Sequence, residues 1–268
     1  MSDYPDGKTH SELVFEAMQD KTELSGGQVF TLAILAGIYI ALGGLFCAMA
    51  LSYADGGFSP IAQLLAGAVF TLGLAGVMLA GAELFTGNTM ILGVVAHGKI
   101  KLSKALRVLP IAYIGNFIGA LVIVGVAIGA NLPDLGDGAF AQAMPSLGAG
   151  KADKGWVEAF FSGILANFLV CLAVWIAIVG KNATEKLLGL FLPVAAFVAL
   201  GLEHSVANMF ILPFAYVLGL SEAGLDPLAL SDIGRNLIAS TAGNIVGGAS
   251  ITLAYGAVYA SQMKTQAR

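Results

Sequence analysis

Six apolar runs separated by short polar stretches govern what this chain can fold into, because about 20 apolar residues are needed to cross a ∼30 Å hydrocarbon core as a helix. Residues 29–51 meet that length cleanly. A second run starts at 61–80, is interrupted at Gly81-Ala-Glu-Leu-Phe-Thr-Gly-Asn88 and resumes to Ala96. Residues 106–130, 156–180, 187–220 and 236–260 supply the rest, the fifth interrupted at Gly201-Leu-Glu-His-Ser-Val-Ala-Asn208. Only 11% of the residues are charged, against about 25% in a soluble domain, so the chain reads as an all-α integral membrane protein. Its 35 glycines suit closely packed membrane helices.

The polar stretches read as follows. Residues 1–28 form an N-terminal segment in which Thr9-His-Ser-Glu12 resembles a capping box, with Leu13, Val14, Ala17 and Met18 at helical spacing. We expect a short amphipathic helix there, on the membrane surface or against the bundle, and no cleavable signal peptide. Asp55-Gly-Gly-Phe-Ser-Pro60 is turn chemistry, and residues 131–155 form a Gly/Asp/Pro-rich loop carrying Lys151 and Lys154. The transmembrane domain spans 29–260, and 261–268 is a tail. Cys47 and Cys171 lie in apolar spans and read as small hydrophobes rather than a disulfide. No basic patch interleaved with aromatics is present, which removes nucleic acid as a partner.

Basic residues set the orientation. With six spans, Lys8, Lys21, Lys99, Lys101, Lys104, Arg107, Lys181, Lys186, Lys264 and Arg268 share one side, and Lys151, Lys154 and Arg235 the other. Both termini are therefore expected in the cytoplasm.

Glu203 and His204 stand out inside the fifth run, because an ionisable group at membrane depth costs roughly 2.5–3.5 kcal/mol and marks a pathway or a site. The competing reading of His204 is a hydrogen-bonded core histidine. An internal echo weighs against it. At an offset of 120, the Gly, Glu, Asn, Ile and Leu of residues 81–92 coincide with those of 201–212. At an offset of 128, Arg107 pairs with Arg235, Gly115-Asn116 with Gly243-Asn244, and Gly119 with Gly247. The first and fourth spans match weakly, at Leu35-Ala36 and Leu165-Ala166. Three spans repeated after three spans lie in opposite orientations, which predicts a 3+3 inverted repeat with spans 2 and 5 as equivalent broken helices and a site near the midplane. Glu83 and Glu203 then read as structural groups at the breaks, satisfying freed backbone N–H groups, and Arg107 and Arg235 as anchors of helix ends.

Three segments carry a family resemblance. Ala80-Gly-Ala-Glu-Leu-Phe-Thr-Gly87 and Gly163-Ile-Leu-Ala-Asn-Phe-Leu-Val-Cys-Leu-Ala173 resemble the two signature segments of the formate/nitrite transporter family, and residues 201–208 its third characteristic segment. The resemblance runs from about residue 28 to 260. It implies a homopentamer of aquaporin-like six-helix protomers in the inner membrane, each with its own pore for small monovalent anions and with no cofactor. It implies that His204 is the central pore histidine, that Thr86 faces it, and that Asn167 and Asn208 are the polar residues nearby. Lys151 matches a lysine that attracts anions at the outer mouth. Phe70, Leu74, Phe85 and Phe197 match apolar constriction residues on either side of the histidine.

A weak-acid anion faces a large desolvation cost at apolar rings. Lys151 can concentrate the anion, and a proton passed through His204 can neutralise it, with the Thr86 hydroxyl as donor to anion or imidazole. Each residue also has a plainer role: Lys151 as a solvated loop residue, the three phenylalanines as core, Asn167 and Asn208 as interhelical hydrogen-bond glue. The expected substrate is formate, with nitrite, hydrosulfide and acetate as alternatives. An intramembrane metallohydrolase is the reading from another class, since His204 and Asn208 share a His-x-x-x-Asn spacing. A zinc site needs three protein ligands, however, and His10 and His97 lie outside the spans. A water or glycerol channel would carry paired Asn-Pro-Ala signatures, which this chain lacks.

Overall fold

A computed structural model of the chain describes residues 6–52, 59–221 and 227–263, and these contain helices and connections with no strand. Residues 55–58 of the expected turn at 55–60, and the basic residues Lys264 and Arg268, lie outside the described residues. In chain order the helices are α1 (Gly7–Glu23), α2 (Gly26–Ser52), α3 (Pro60–Ala80), α4 (Phe85–Asn88), α5 (Ile91–Ala96), α6 (Leu102–Gly129), α7 (Ala139–Ala152), α8 (Trp156–Val179), α9 (Ala183–Ala199), α10 (Ser205–Ser221) and α11 (Leu230–Tyr259).

Among the described residues, five helices are long and apolar enough to cross a membrane: α2, α3, α6, α8 and α11 with the short turn that follows it. The sixth expected crossing is divided between α9 and α10, of 17 residues each, and neither alone reaches the ~20 residues a span requires. The two interruptions differ in where they fall. α3 completes 21 residues before it stops and is followed by pieces of only four and six. α4 is short because Thr89 folds back, its N–H and its hydroxyl both donating to the Thr86 carbonyl.

Both interruptions turn at a glycine held at positive φ, 75° at Gly81 and 63° at Gly201. An L side chain is disfavoured there by roughly 1–2 kcal/mol. The helices on either side pack in two matching sets: α2 lies on α3 and α6, α8 lies on α9 and α11, and α3 meets α9 between the sets. The tight contacts α2–α6 and α8–α11 use the glycines that echo each other. A methyl at Gly119 would run into the Ile34 carbonyl, and one at Gly247 into the Ile164 carbonyl.

Two expectations are corrected. Residues 131–155 are not one loop. The turn chemistry ends at Gly138, which is at φ 86°, and the alanine-rich stretch after it forms α7. Phe140, Met144, Gly148 and Lys151 recur at helical spacing on its buried face, packed chiefly against α10. Lys151 therefore belongs to a helix. In α1, Asp6 and not Thr9 is the N-cap, its carboxylate accepting from the Thr9 N–H at 2.8 Å. The helix buries Ser11, Val14, Phe15, Met18 and Thr22 and turns Leu13 outward. It packs against α5, α6, α8 and α11.

Candidate functional site

The interruption before α10 places His204 one residue ahead of the helix, where backbone N–H groups have no intrahelical partner. The Ser205 N–H donates to Asn244 Oδ1 at 2.8 Å, and the Ala207 N–H donates to His204 Nδ1 at 3.1 Å. A backbone N–H can only donate, so Nδ1 is the unprotonated nitrogen and Nε2 carries the proton. Nε2 lies 2.8 Å from Thr86 Oγ1, which accepts that proton as a hydrogen bond and keeps its own hydroxyl hydrogen free. Both residues are buried. The contact joins residues from the two interrupted segments.

Thr86 is fixed from behind. Its carbonyl accepts from Asn167 Nδ2 at 3.1 Å, from the Thr89 hydroxyl and from the Cys171 thiol. Asn167 also donates to Thr89 Oγ1 and to the Asn244 carbonyl. The Asn167 amide thus ties α8 and α11 to the Thr86 turn.

Apolar rings flank the pair. Phe197 lies 5.5 Å from the His204 ring, and Phe70 meets Phe197 edge-on at 5.6 Å. Leu74 is buried one turn after Phe70. Phe85, beside Thr86, meets Tyr113 edge-on at 4.9 Å. Where α9 ends and α3 begins, an open cavity of about 750 Å³ is lined by Gln63, Gln142, Lys151, Lys154 and Gly201 among others.

The two glutamates sit in parallel polar knots, and the knots correct one expectation. The freed N–H groups of Phe85 and Ser205 are met by asparagines and those of Glu83 and Glu203 by the Leu32 carbonyl and the Ser162 hydroxyl, none of them by a glutamate carboxylate. Asn116 Oδ1 accepts from the Phe85 N–H, and Asn116 Nδ2 donates to the carbonyls of Ala33 and Glu83. Asn244 Oδ1 accepts from Ser205, and its Nδ2 donates to the carbonyls of Gly163 and Glu203. The carboxylates bind side chains. Glu83 holds Lys21 at 2.8 Å and the Asn88 amide at 2.7 Å. Glu203 holds Lys151 at 3.1 Å, Lys154 at 2.8 Å, the Asn208 amide at 2.6 Å and the Asn236 amide at 2.8 Å. Asn208 is thus placed on Glu203, away from the His204–Thr86 contact. Arg107 and Arg235 do hold helix ends, donating to carbonyls at the ends of α1 and α7.

Sequence reasoning missed the partner roles of Asn116, Asn236 and Asn244, although the offset of 128 already paired Asn116 with Asn244. A metal finds no cluster of three or more His, Cys, Asp or Glu side chains among the described residues. His10 and His97 bond the carbonyls of Trp175 and Leu253, well separated from His204 in their contacts.

The description "Formate/nitrite transporter" fits the chain by family model over residues 8–258. A formate channel of Haemophilus influenzae is 35% identical over 233 residues, 82% of each chain. A probable formate transporter of Methanothermobacter thermautotrophicus is 37% identical over 242 residues, 83% of this chain and 85% of its own. Among solved structures, a pentameric formate channel with formate bound superposes with a TM-score of 0.82 at 32% identity, over 87% of this chain and 96% of that one. With a family match over nearly its whole length and relatives above 30% identity, the chain belongs to the formate/nitrite transporter family.

Proposed function

We propose that the chain is a homopentameric channel of the inner membrane that conducts formate, with one pore per protomer passing between His204 and Thr86. The observation that carries this reading is the 2.8 Å contact of His204 Nε2 with Thr86 Oγ1, a buried polar pair between apolar rings at the meeting of two helix interruptions. Similarity to proteins named as formate channels, and to a pentamer with formate bound, supports the substrate and the assembly. Nitrite and hydrosulfide remain the alternative cargoes within the family.

The pathway runs from the cavity at Lys151, past Phe70, Leu74 and Phe197, to His204 and Thr86, and on past Phe85. Asn167 and Asn208 act from behind, the first holding Thr86 and the second holding Glu203 beside His204. Glu83 and Glu203 keep the two breaks open through their ion pairs. The matching knots favour a 3+3 inverted repeat. They also extend it beyond the spans: at the offset of 130 that pairs Ala33 with Gly163, Lys21 pairs with Lys151, so α1 corresponds to α7. Within the N-terminal segment 1–28, α1 is then a packed part of the channel unit of 29–260 rather than a leader, with 261–268 as a tail. The termini lie in the cytoplasm, and the lipid bilayer surrounds the apolar outer faces.

The proton step follows from the tautomer. A cationic His204 gives up the Ala207 N–H and holds protons on both nitrogens. Its Nε2 proton then passes to Thr86 Oγ1 while the Thr86 proton passes to a formate oxygen, leaving formic acid and a neutral ring protonated at Nδ1. The neutral acid crosses the apolar rings without the desolvation cost of the anion. Formate flux into proteoliposomes at two pH values tests this: His204→Asn is expected to lose the pH dependence of the wild type. A wild-type pH profile in His204→Asn removes the relay.

A further inference from the structure

We infer that Tyr113 is a positioning residue for the aperture at Phe85: its ring fixes the Phe85 ring edge-on, Thr241 fixes Tyr113 through its hydroxyl, and together they set the size of acid that passes. This deepens the channel reading and rests on it for the place of Phe85 on the pathway.

Phe85 opens α4, a helix of only four residues, too short to hold a ring in place by its own packing. α6 holds it at two points. Asn116 Oδ1 accepts from the Phe85 N–H at 2.8 Å, and Tyr113 meets the Phe85 ring at 4.9 Å with the ring planes at 82°. Tyr113 and Asn116 are three residues apart, so they leave α6 on one face. Backbone and ring of one residue are thus gripped by one helix face. An edge-on pair is directional, since the positive rim of one ring points into the negative face of the other, and sliding either ring gives that up.

Tyr113 is in turn held from the other half of the molecule. α6 and α11 share no extended packing, and Tyr113 reaches across, its hydroxyl oxygen accepting from Thr241 Oγ1 at 3.2 Å. A phenol at membrane depth has little water to turn to, so this partner keeps the ring from swinging. Tyr113 and Thr241 pair at the offset of 128 that also matches Asn116 with Asn244, so the bond joins equivalent positions of the two halves.

The second half argues that the ring pair is no requirement of the fold. Asn244 grips the Ser205 N–H as Asn116 grips that of Phe85. Yet Ser205 stands where Phe85 does at the offset of 120, and Thr241 stands where Tyr113 does. The asparagine clamp is kept in both halves, while two aromatic rings in one are replaced by two small hydroxyl residues in the other. The clamp therefore serves the break, and the added rings serve the aperture beside Thr86.

Uptake of formate and of the larger acetate into the same proteoliposomes tests the assignment, because the amount of protein cancels in their ratio. Tyr113→Leu removes the edge-on partner and is expected to raise the acetate-to-formate ratio by roughly threefold or more, the scale on which losing an aromatic pair frees a ring. Tyr113→Phe and Thr241→Val each remove one end of the hydroxyl bond and keep the shape, and each is expected to raise the ratio by about twofold. Thr241→Ser keeps the hydroxyl and is expected to match the wild type. Tyr113→Phe is expected to assemble, since the Thr241 hydroxyl can turn to a carbonyl of its own helix. A wild-type ratio in Tyr113→Leu, or in both hydroxyl variants where Tyr113→Leu does not assemble, overturns the assignment. A ratio raised in Tyr113→Leu alone keeps Tyr113 and overturns Thr241 as its holder. A wild type that passes neither acid overturns the channel reading and the aperture with it, whereas formate flux with an unmoved ratio overturns only the role of Tyr113.

Discussion

Thr86 is where the two interrupted segments meet, and its two oxygens do different work. The carbonyl takes four donors, two from α8 and two from Thr89 of its own turn, which fixes the backbone. The hydroxyl accepts from His204 and retains one hydrogen to give. On the proposed pathway that hydrogen is the donor an anion meets between the rings. Thr86→Val keeps shape and carbonyl but removes the hydroxyl. A lost hydrogen bond to a charged group is worth about 1.5–3 kcal/mol, so formate flux is expected to fall by at least about tenfold, with Thr86→Ser retaining most of it. Equal flux in Thr86→Val and wild-type proteoliposomes would take the hydroxyl off the pathway. His204, Glu203 and Glu83 were legible in the sequence because ionisable groups are conspicuous in apolar runs. The asparagines were less so. An amide in a membrane helix reads as packing glue, and its partners here are backbone groups distant in the chain, such as Phe85 for Asn116 and Ser205 for Asn244.

Those amides decide the stability of the interruptions as elements. A helix that stops inside a bilayer leaves N–H and C=O groups with no water to meet them. Asn244 serves three, the Ser205 N–H and the carbonyls of Gly163 and Glu203, and Asn116 serves three in the same pattern. Each buried group left unpaired costs about 1–3 kcal/mol, so Asn244→Ala is expected to destabilise the protein by about 3 kcal/mol or more. Denaturation of the reconstituted protein in mixed micelles reads this directly. A loss below about 0.5 kcal/mol would mean that the breaks do not depend on the amide. The N-terminal element behaves differently. The Thr9 N–H and side chain hold the Asp6 carboxyl below its ordinary 3.8. A carboxyl lowered on folding contributes above its unfolded value and loses that contribution as the pH falls through the lower folded one, so this cap persists throughout the neutral range. α7 was missed as an element because turn residues at 131–138 coloured the reading of the alanine-rich stretch behind them. The spacing of Phe140, Met144, Gly148 and Lys151 held the signal.

At the scale of the whole molecule, length and apolar content sufficed to place the long spanning helices, since a bilayer admits few alternatives to a spanning helix. The end of α3 at Ala80 was legible too, because Gly81 and the polar Glu83, Thr86 and Asn88 interrupt the apolar run there, whereas the partners that hold the break lie on other helices. Length and apolar content leave the sidedness to the distribution of basic residues. The structure gives that distribution two separated surfaces to act on. Gln142 lines the cavity with Lys151 and Lys154, whereas Gln262 lines one of about 710 Å³ with Lys99, Lys101 and Lys104, beside α1. Both glutamines are exposed. The native cysteines Cys47 and Cys171 are buried and will not compete for a polar reagent. In intact cells whose outer barrier has been made permeable, a membrane-impermeant maleimide is expected to label Gln142→Cys and to spare Gln262→Cys until the inner membrane is opened. The excess of basic residues predicts this order, because lysines and arginines near helix ends are retained in the cytoplasm. Labelling in the reverse order would invert the molecule in the membrane. It would turn the cavity lined by Lys151 toward the cytoplasm, so that on the proposed pathway the lysine would meet anions on their way out instead of in.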